Sequence, residues 1–491
     1  MIGRIDTDRE RFQVIEGGRG PKGAVPPCVQ LPPPPQMGSA ELAAEMAELY
    51  AMMLLRDTPF SAMTDPHHAI WIDGRTRFTL HELLCEMRSL SWYDHERRTA
   101  APGEPGARRR QLRLNREGQL TLASMYRGTL APAAPGGQPL SLFHWIDRCA
   151  PDLVAEPGAA PDAEAPMSAW VDWIGAQSGA ALALATAEPS AMSPLVTPRD
   201  LAFRMQDSHP CRVYYNAALM LLARGSEFDP GLEPQGSEDP VSAQRLLSLM
   251  AEGAERAFEA AMRLRGRDDR SSPPATTAAR LASILGRDEI PAGTAPELRG
   301  AAEDLQTYAP NLLHWVTRWN AAQAQTRRAN APYMLSELEV GGLRRHPSDA
   351  ALQVVVAGAL STLFKALFNT RPAPHLRMAT DPAPGFDLAV EADQLAADVA
   401  LSAAASGAQF QAESHQNLRI GEALALQVLR GWLAQLPQRA SMDLTNFDGK
   451  PLRIESHIGR LGAPEVALRR DGRPARFPLV ADRPDAHLAV I

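Results

Sequence analysis

The sequence predicts an all-α chain with a few short β-hairpins, and three stretches carry that prediction. Across residues 393–432, Leu395, Val399, Ala403, Leu418, Ala425 and Leu429 recur at helical spacings with no proline among them. Leu42, Met46, Leu49 and Met53 form a second stripe at i, i+4, i+7 and i+11. Residues 246–262 form a third, with Leu246, Met250, Ala257, Phe258 and Ala261 on the apolar side. Hydrophobic residues make up 45% of the 491, enough for a sizeable core.

In chain order, residues 1–37 are polar and then proline-rich (PPCVQLPPPPQ), an extended lead-in lying along the body of a single helical domain over 38–491. Ser39 is placed to cap the first helix, and Glu41 and Glu45 sit where the helix dipole favours negative charge. The methionine stripe that follows reads as core. Residues 95–118 are a basic excursion whose run Arg108-Arg109-Arg110 reads as a solvated face. Leu112, Leu114, Leu120 and Leu122 alternate about Asn115-Arg116-Glu117-Gly118, the pattern of a hairpin. Insertions are expected near 95–118, 130–190 and 275–340, the second containing Ala/Pro/Gly loops.

His209 and Cys211 stand two apart, a spacing that diverges on either a strand or a helix, so they read as structural. Residues 267–277 (RDDRSSPPATT) read as a loop, and 298–330 as helical. The most apolar run, 352–368, is too short to span a membrane and is broken by Gln353, Ser361, Thr362 and Lys365. Residues 393–432 divide into two alanine-dense helices with a break at Ser406–Gly407 or within 413–415. Residues 441–455 form a hairpin that turns at Asp448–Gly449.

A formal net charge of −7 excludes the basic balance of a nucleic-acid binder. Cys28, Cys85, Cys149 and Cys211 lie far apart, which predicts reduced, buried thiols rather than a zinc site or a disulfide framework. Residues 1–16 are charged throughout and lack the apolar core of a signal peptide, so a soluble, cytoplasmic protein is expected. The abundance of Ala, Arg and Pro matches a GC-rich bacterial genome.

Several of these segments resemble the bacterial vanadium-dependent haloperoxidases, a branch of the acid-phosphatase-like superfamily. GSAELAAEMAELYAMMLLRDTPF is similar to that family's first helix, and PLVTPRDLAFRMQDSHPCRVYYNAALMLLARGSEFDP to a later segment. Residues 246–262 align with a family helix. RRHPSDAALQVVVAGALSTLFKALF matches at His346, Pro347, Ser348, Gly358, Ala359, Lys365, Ala366 and Phe368. The 393–432 run matches at Leu395, Ala396, Leu418, Gly421, Glu422 and Ala423. The resemblance implies a haloperoxidase-like helical bundle over most of 38–455.

The same register implies that the chemistry is gone. The family's vanadate-binding lysine falls on Arg265 and its arginines on Pro273 and Ala403. Its Ser-Gly-His turn falls on Ala351, Leu352 and Gln353, and its metal-ligating histidine on Gln409. Vanadate is an oxyanion that needs several cationic donors, an imidazole nitrogen on the metal and a second imidazole for proton transfer. Only Arg265 keeps a charge. No vanadate, metal or other cofactor is therefore expected, and no retained catalytic residue. The resulting expectation is a non-catalytic pseudoenzyme or assembly subunit, a homodimer or a heteromer with an active paralogue. The alternative is a metal-free enzyme or small-molecule-binding protein with a pocket lined by Arg265, His346, Gln353, Gln409, Glu413 and His415. An open cavity would favour the alternative, and a collapsed one the pseudoenzyme.

Overall fold

The computed structural model describes residues 28–29, 32–94, 105–115, 117–127, 140–144, 195–232, 242–265, 271–286, 296–323, 333–336, 338, 347–370, 387–436, 439–459, 464–478 and 480–481. It falls into two compact units, residues 31–477 and residues 1–30 with 478–491. In the smaller unit the described structure is one antiparallel pair, β1 (Cys28–Val29) with β8 (Val480–Ala481).

The larger unit is built around two buried helices. The first, α1 (Ala40–Leu55), is capped as expected by Ser39, whose Oγ accepts the Leu42 N–H at 3.1 Å. Its methionine stripe is core, but burial extends round the whole helix from Glu41 to Leu55. Glu41 and Glu45 therefore serve more than the dipole, since Glu41 meets the half-buried Arg109 and Glu45 the buried Arg113. Around α1 pack α2 (Leu80–Ser89), α9 (Arg299–Tyr308), α10 (Pro310–Gln323) and α12 (Leu388–Ala405). The hairpin of β2 (Ala69–Trp71) and β3 (Arg77–Thr79) leads into α2 through a Thr79–Glu82 capping box. Phe78 stacks on Trp315 of α10, ring centres 4.5 Å apart.

The second axis is α11 (Pro347–Leu367), packed against α7 (Ala243–Arg265), α12 and α13 (Gln411–Leu433). Glycine sets the closest crossing. A Cβ on Gly358 would strike the Leu418 carbonyl, and one on Gly421 would strike the Val355 carbonyl and the Ala359 amide. Two backbones this near exclude any larger residue at either point. The break between α12 and α13 falls at Ser406–Gly407, with Gly407 at φ +76°, while residues 413–415 lie inside α13.

Several expectations need correction. The Arg108–Arg110 run is not a solvated face. It forms α3 (Pro105–Gln111), where Arg109 pairs with Glu41 and Arg110 is buried; only Arg108 is largely exposed. The expected leucine hairpin reduces to one bridge, Leu114 to Leu120, because Leu122 begins α4 (Leu122–Arg127). Residues 274–277 are helical, the first turn of α8 (Pro274–Leu285), because Pro274 suits a first helical position. Cys85 is exposed, against a buried-thiol expectation that Cys211 meets; Cys149 lies outside the described residues.

The fold is also not strictly all-α. The predicted 441–455 hairpin is present as β4 (Ser441–Thr445) and β5 (Pro451–Ile458), turning through Gly449 at φ +71°. It continues through β6 (Pro464–Arg470) and β7 (Arg473–Ala475) into a four-stranded antiparallel sheet in sequential order. The stretch 275–340, expected to carry an insertion, includes α8, α9 and α10. Residues 130–139 and 145–190 lie outside the described residues. Among the described residues no helix is long and apolar enough to cross a membrane, and no cluster of three His, Cys, Asp or Glu is placed to hold a metal ion.

Candidate functional site

Four elements bring the predicted site residues into place: the end of α7, the start of α8, the N-terminal half of α11, and the α12–α13 junction. Arg265 is the last residue of α7. Pro273 occupies the N-cap of α8 without a side-chain capping bond and faces solvent, while Pro274 behind it is buried. Ala351 and Leu352 are half-buried on α11, and His346 lies outside the described residues. Ala403 is buried near the end of α12.

Gln353 follows on α11 and is buried. Its Nε2 donates to the Met205 carbonyl at 2.6 Å, at the end of α5 (Pro198–Asp207). It lines a small cavity with Ser208, His209, Tyr214, Leu395 and Val399. The volume is about 10 Å³, room for about one water molecule. Leu395, Val399 and Ala403 share one face of α12 at four-residue spacing, so this face also carries the second arginine-equivalent position.

His209 is exposed and its Nδ1 accepts the Cys211 backbone N–H at 3.3 Å. Cys211 begins α6 (Arg212–Ala223), and burial pushes its thiol up to about 11. The thiol stays protonated at neutral pH.

At the α12–α13 junction Gln409 is 2% exposed, and its Oε1 accepts the Ser414 hydroxyl at 3.1 Å. Glu413 is half-buried in the first turn of α13. His415 is buried, with Nε2 3.4 Å from the Gln411 amide and Nδ1 without a hydrogen-bond partner. Burial, reinforced by Arg419 and Arg113, holds its pKa well below the ordinary histidine range, so the ring is neutral. The structure thus groups Gln409, Glu413 and His415 at the head of α13 and gives Gln353 separate partners on α5.

Sequence reasoning missed the charged clusters beside these positions. The Ala412 N–H donates to Glu45 at 3.3 Å, supplying an acceptor to a helix whose N-cap, Phe410, cannot. Arg113 binds Glu45 at 2.5 Å and Glu48 at 3.0 Å, and Tyr93 donates to Glu48 at 2.5 Å. Across α11, Lys365 binds Asp393 at 2.5 Å and lies over the Phe447 ring, while Glu422 accepts the Phe447 N–H at 2.9 Å. The available signal was charge inside apolar runs: Glu45 and Glu48 flank Met46 and Leu49, and Lys365 follows Phe364.

The chain is 25% identical over 474 aligned residues to a vanadium-dependent bromoperoxidase of Corallina pilulifera, covering 87% of the chain and 76% of that protein. A second such enzyme, from Corallina officinalis, is 24% identical over the same shares. The chain is haloperoxidase-like. Its fold is that of the second vanadate-dependent bromoperoxidase of Ascophyllum nodosum, a homohexamer, at a TM-score of 0.59 and 17% identity over 93% of this chain and 76% of that one. No protein-family model matches the sequence. In the register the resemblance implies, the positions equivalent to the anion donors carry Arg265, Pro273, Ala351, Leu352, Gln353, Ala403 and Gln409; of these Arg265 alone is cationic, and none is an imidazole.

Proposed function

We propose that this haloperoxidase-like chain is a pseudoenzyme that binds no vanadate, brominates nothing, and serves as an assembly subunit. The observation that carries the reading is Gln353. Where the resemblance puts an acid–base imidazole, a neutral amide is committed to the Met205 carbonyl. An amide neither titrates near neutral pH nor passes protons as imidazole does.

The rest of the donor set fits vanadate no better. Pro273 has no N–H and points into solvent, Ala403 offers a methyl group, and Gln409 turns its oxygen to Ser414. Loss of the charged donors at an anion site costs roughly 2–5 kcal/mol apiece, which leaves no useful affinity. The same donors would be needed for phosphate, so phosphatase activity goes with them. The cavity beside Gln353 is too small for an organic substrate, so it lends nothing to a repurposed pocket.

An assembly role is supported by the homohexameric Ascophyllum nodosum neighbour. The partner is a second copy of this chain or an active paralogue. Incubating the purified protein with vanadate, peroxide and bromide is expected to give no vanadate-dependent bromination, and vanadate titration no saturable binding. Either signal overturns the loss of chemistry. Mass measurement in solution is expected to give a multiple of 53.2 kDa; a monomer that also captures no paralogue from its host overturns the assembly role.

A further inference from the structure

Arg56 caps the C-terminal end of α1 and is 1% exposed. Its Nε and Nη2 are both buried and have no hydrogen-bond partner. These two groups form the side-on edge of a guanidinium, which can engage both oxygens of one carboxylate or oxyanion together. The same edge is in use elsewhere in the molecule. Arg109 sets Nε and Nη2 on the two oxygens of Glu41 at 2.6 and 2.9 Å, and Arg199 grips Asp57 in the same way.

The surroundings of Arg56 leave it short of negative charge. Trp319 of α10 lies against the guanidinium, its ring centre 4.9 Å from Cζ. A cation–π contact uses the flat face of the group and leaves the edge donors unsatisfied. Asp57 is the adjacent carboxylate, but both of its oxygens are held by Arg199. Arg199 brings a second positive charge close, and its backbone N–H donates to the Arg56 carbonyl at 2.9 Å. Asp200 is engaged by the Val196 and Thr197 donors that cap α5. Burial and the neighbouring Arg199 lower the Arg56 pKa to about 10, so the side chain remains a cation at neutral pH. A buried cation with unpaired donors is costly, and an anion of matching shape removes that cost.

We propose that Arg56 anchors a small-oxyanion site. The ligand carries two anionic oxygens on one atom, received side-on by Nε and Nη2 with Trp319 behind the guanidinium. Carboxylate and phosphate share this chemistry. Burial restricts the ligand to small species that enter on local opening of the surrounding segments. The site stands on α1, α5 and α10 and uses none of the residues assigned to vanadate, so it does not depend on the pseudoenzyme reading.

The test uses the full chain, titrated separately with inorganic phosphate and with formate at constant ionic strength, with chloride as the anion that lacks a paired-oxygen edge. Tryptophan emission and the thermal midpoint are recorded. At least one of the paired-oxygen anions is expected to give a saturable emission change and a rising midpoint, and the tighter arm identifies carboxylate or phosphate as the source. Arg56→Met is expected to weaken the response by at least about tenfold. Arg56→Lys, which keeps the charge without the fork, is expected to weaken it less. Trp319→Phe is expected to lose the emission change. If Arg56→Met does not fold, the lysine and Trp319 variants decide. The proposal is overturned if neither anion gives a saturable response, or if the foldable Arg56 variants and Trp319→Phe all respond as the wild type does.

Discussion

Two sets of buried polar groups in the helical body are built on opposite principles. At the positions assigned to vanadate, the buried polar groups are neutral and satisfied locally, with Gln353 on a backbone carbonyl and Gln409 on Ser414. Elsewhere in the helical body, the buried groups are ionisable and paired. Arg113 stands between Glu45 and Glu48, and Lys365 between Asp393 and the ring of Phe447. The fold has therefore not lost the capacity to bury charge. It holds buried charge where helices are tied together, and neutral amides at Gln353 and Gln409.

The ionic region is expected to be the more fragile. Arg113→Met strands two buried glutamates, one of which also receives the Ala412 amide of α13. Removing one member of a buried ionic cluster costs about 3–5 kcal/mol, read as a lowered denaturant midpoint. The triple variant with Glu45→Gln and Glu48→Gln should regain part of that loss, because no charge is then left unpaired. A triple variant no more stable than Arg113→Met would break the distinction drawn between the two regions.

A slightly smaller effect is expected at the helix crossing that carries both. Gly358→Ala or Gly421→Ala forces a methyl into the facing backbone, which no rotamer change can relieve. A loss of about 3 kcal/mol is expected, at the upper end of the overpacking range. Wild-type stability in either variant would show that α11 and α13 can separate without cost.

The charged region also sets a pH dependence of its own. Burial raises the Glu48 carboxyl to about 7 against the opposing pull of Arg113, and raises Asp393 to about 6 against Lys365. A carboxyl whose pKa is higher in the folded state binds its proton more tightly there. The folded state thus gains most below the ordinary value of 4.5 for Glu48 and loses that gain as pH rises through about 7. Glu48→Gln should flatten the fall in stability between those limits. His415 works in the opposite direction. Its depressed pKa gives stability that is present above the ordinary value of 6.5 and lost as pH falls. Unfolding curves across pH 4–8 that are superimposable for wild type and Glu48→Gln would remove Glu48 as a source of the slope.

The helical body was legible because its signals are local. The Ser39 cap, the methionine stripe, the Gly407 break and the Asp448–Gly449 turn each depend on residues within a few positions of one another. Burial of Glu45, Arg113 and Lys365 was not, because each charge is tolerated only through a partner 28 to 68 positions away. The Arg108–Arg110 run misled for the same reason, since the residue that buries Arg109 is Glu41, 68 positions earlier. At the candidate site the sequence supplied the residue types, set in a register by resemblance. It could not show that Gln353 and Gln409 had acquired partners of their own.

Those acquired partners allow the finest test of the contrast. Gln353→Leu removes the donor to the Met205 carbonyl while keeping bulk in a half-apolar setting beside Leu395 and Val399. The expected cost is about 1–2 kcal/mol, that of one buried acceptor left unpaired. Gln353→His restores an imidazole at the position the resemblance assigns to acid–base work. Vanadate-dependent bromination is still expected to be absent, because Pro273, Ala403 and Gln409 leave the anion without its charges and its metal ligand. Should that single change produce turnover, the site would have lost only a proton carrier. The neutrality of the rest of the region would then need a different cause.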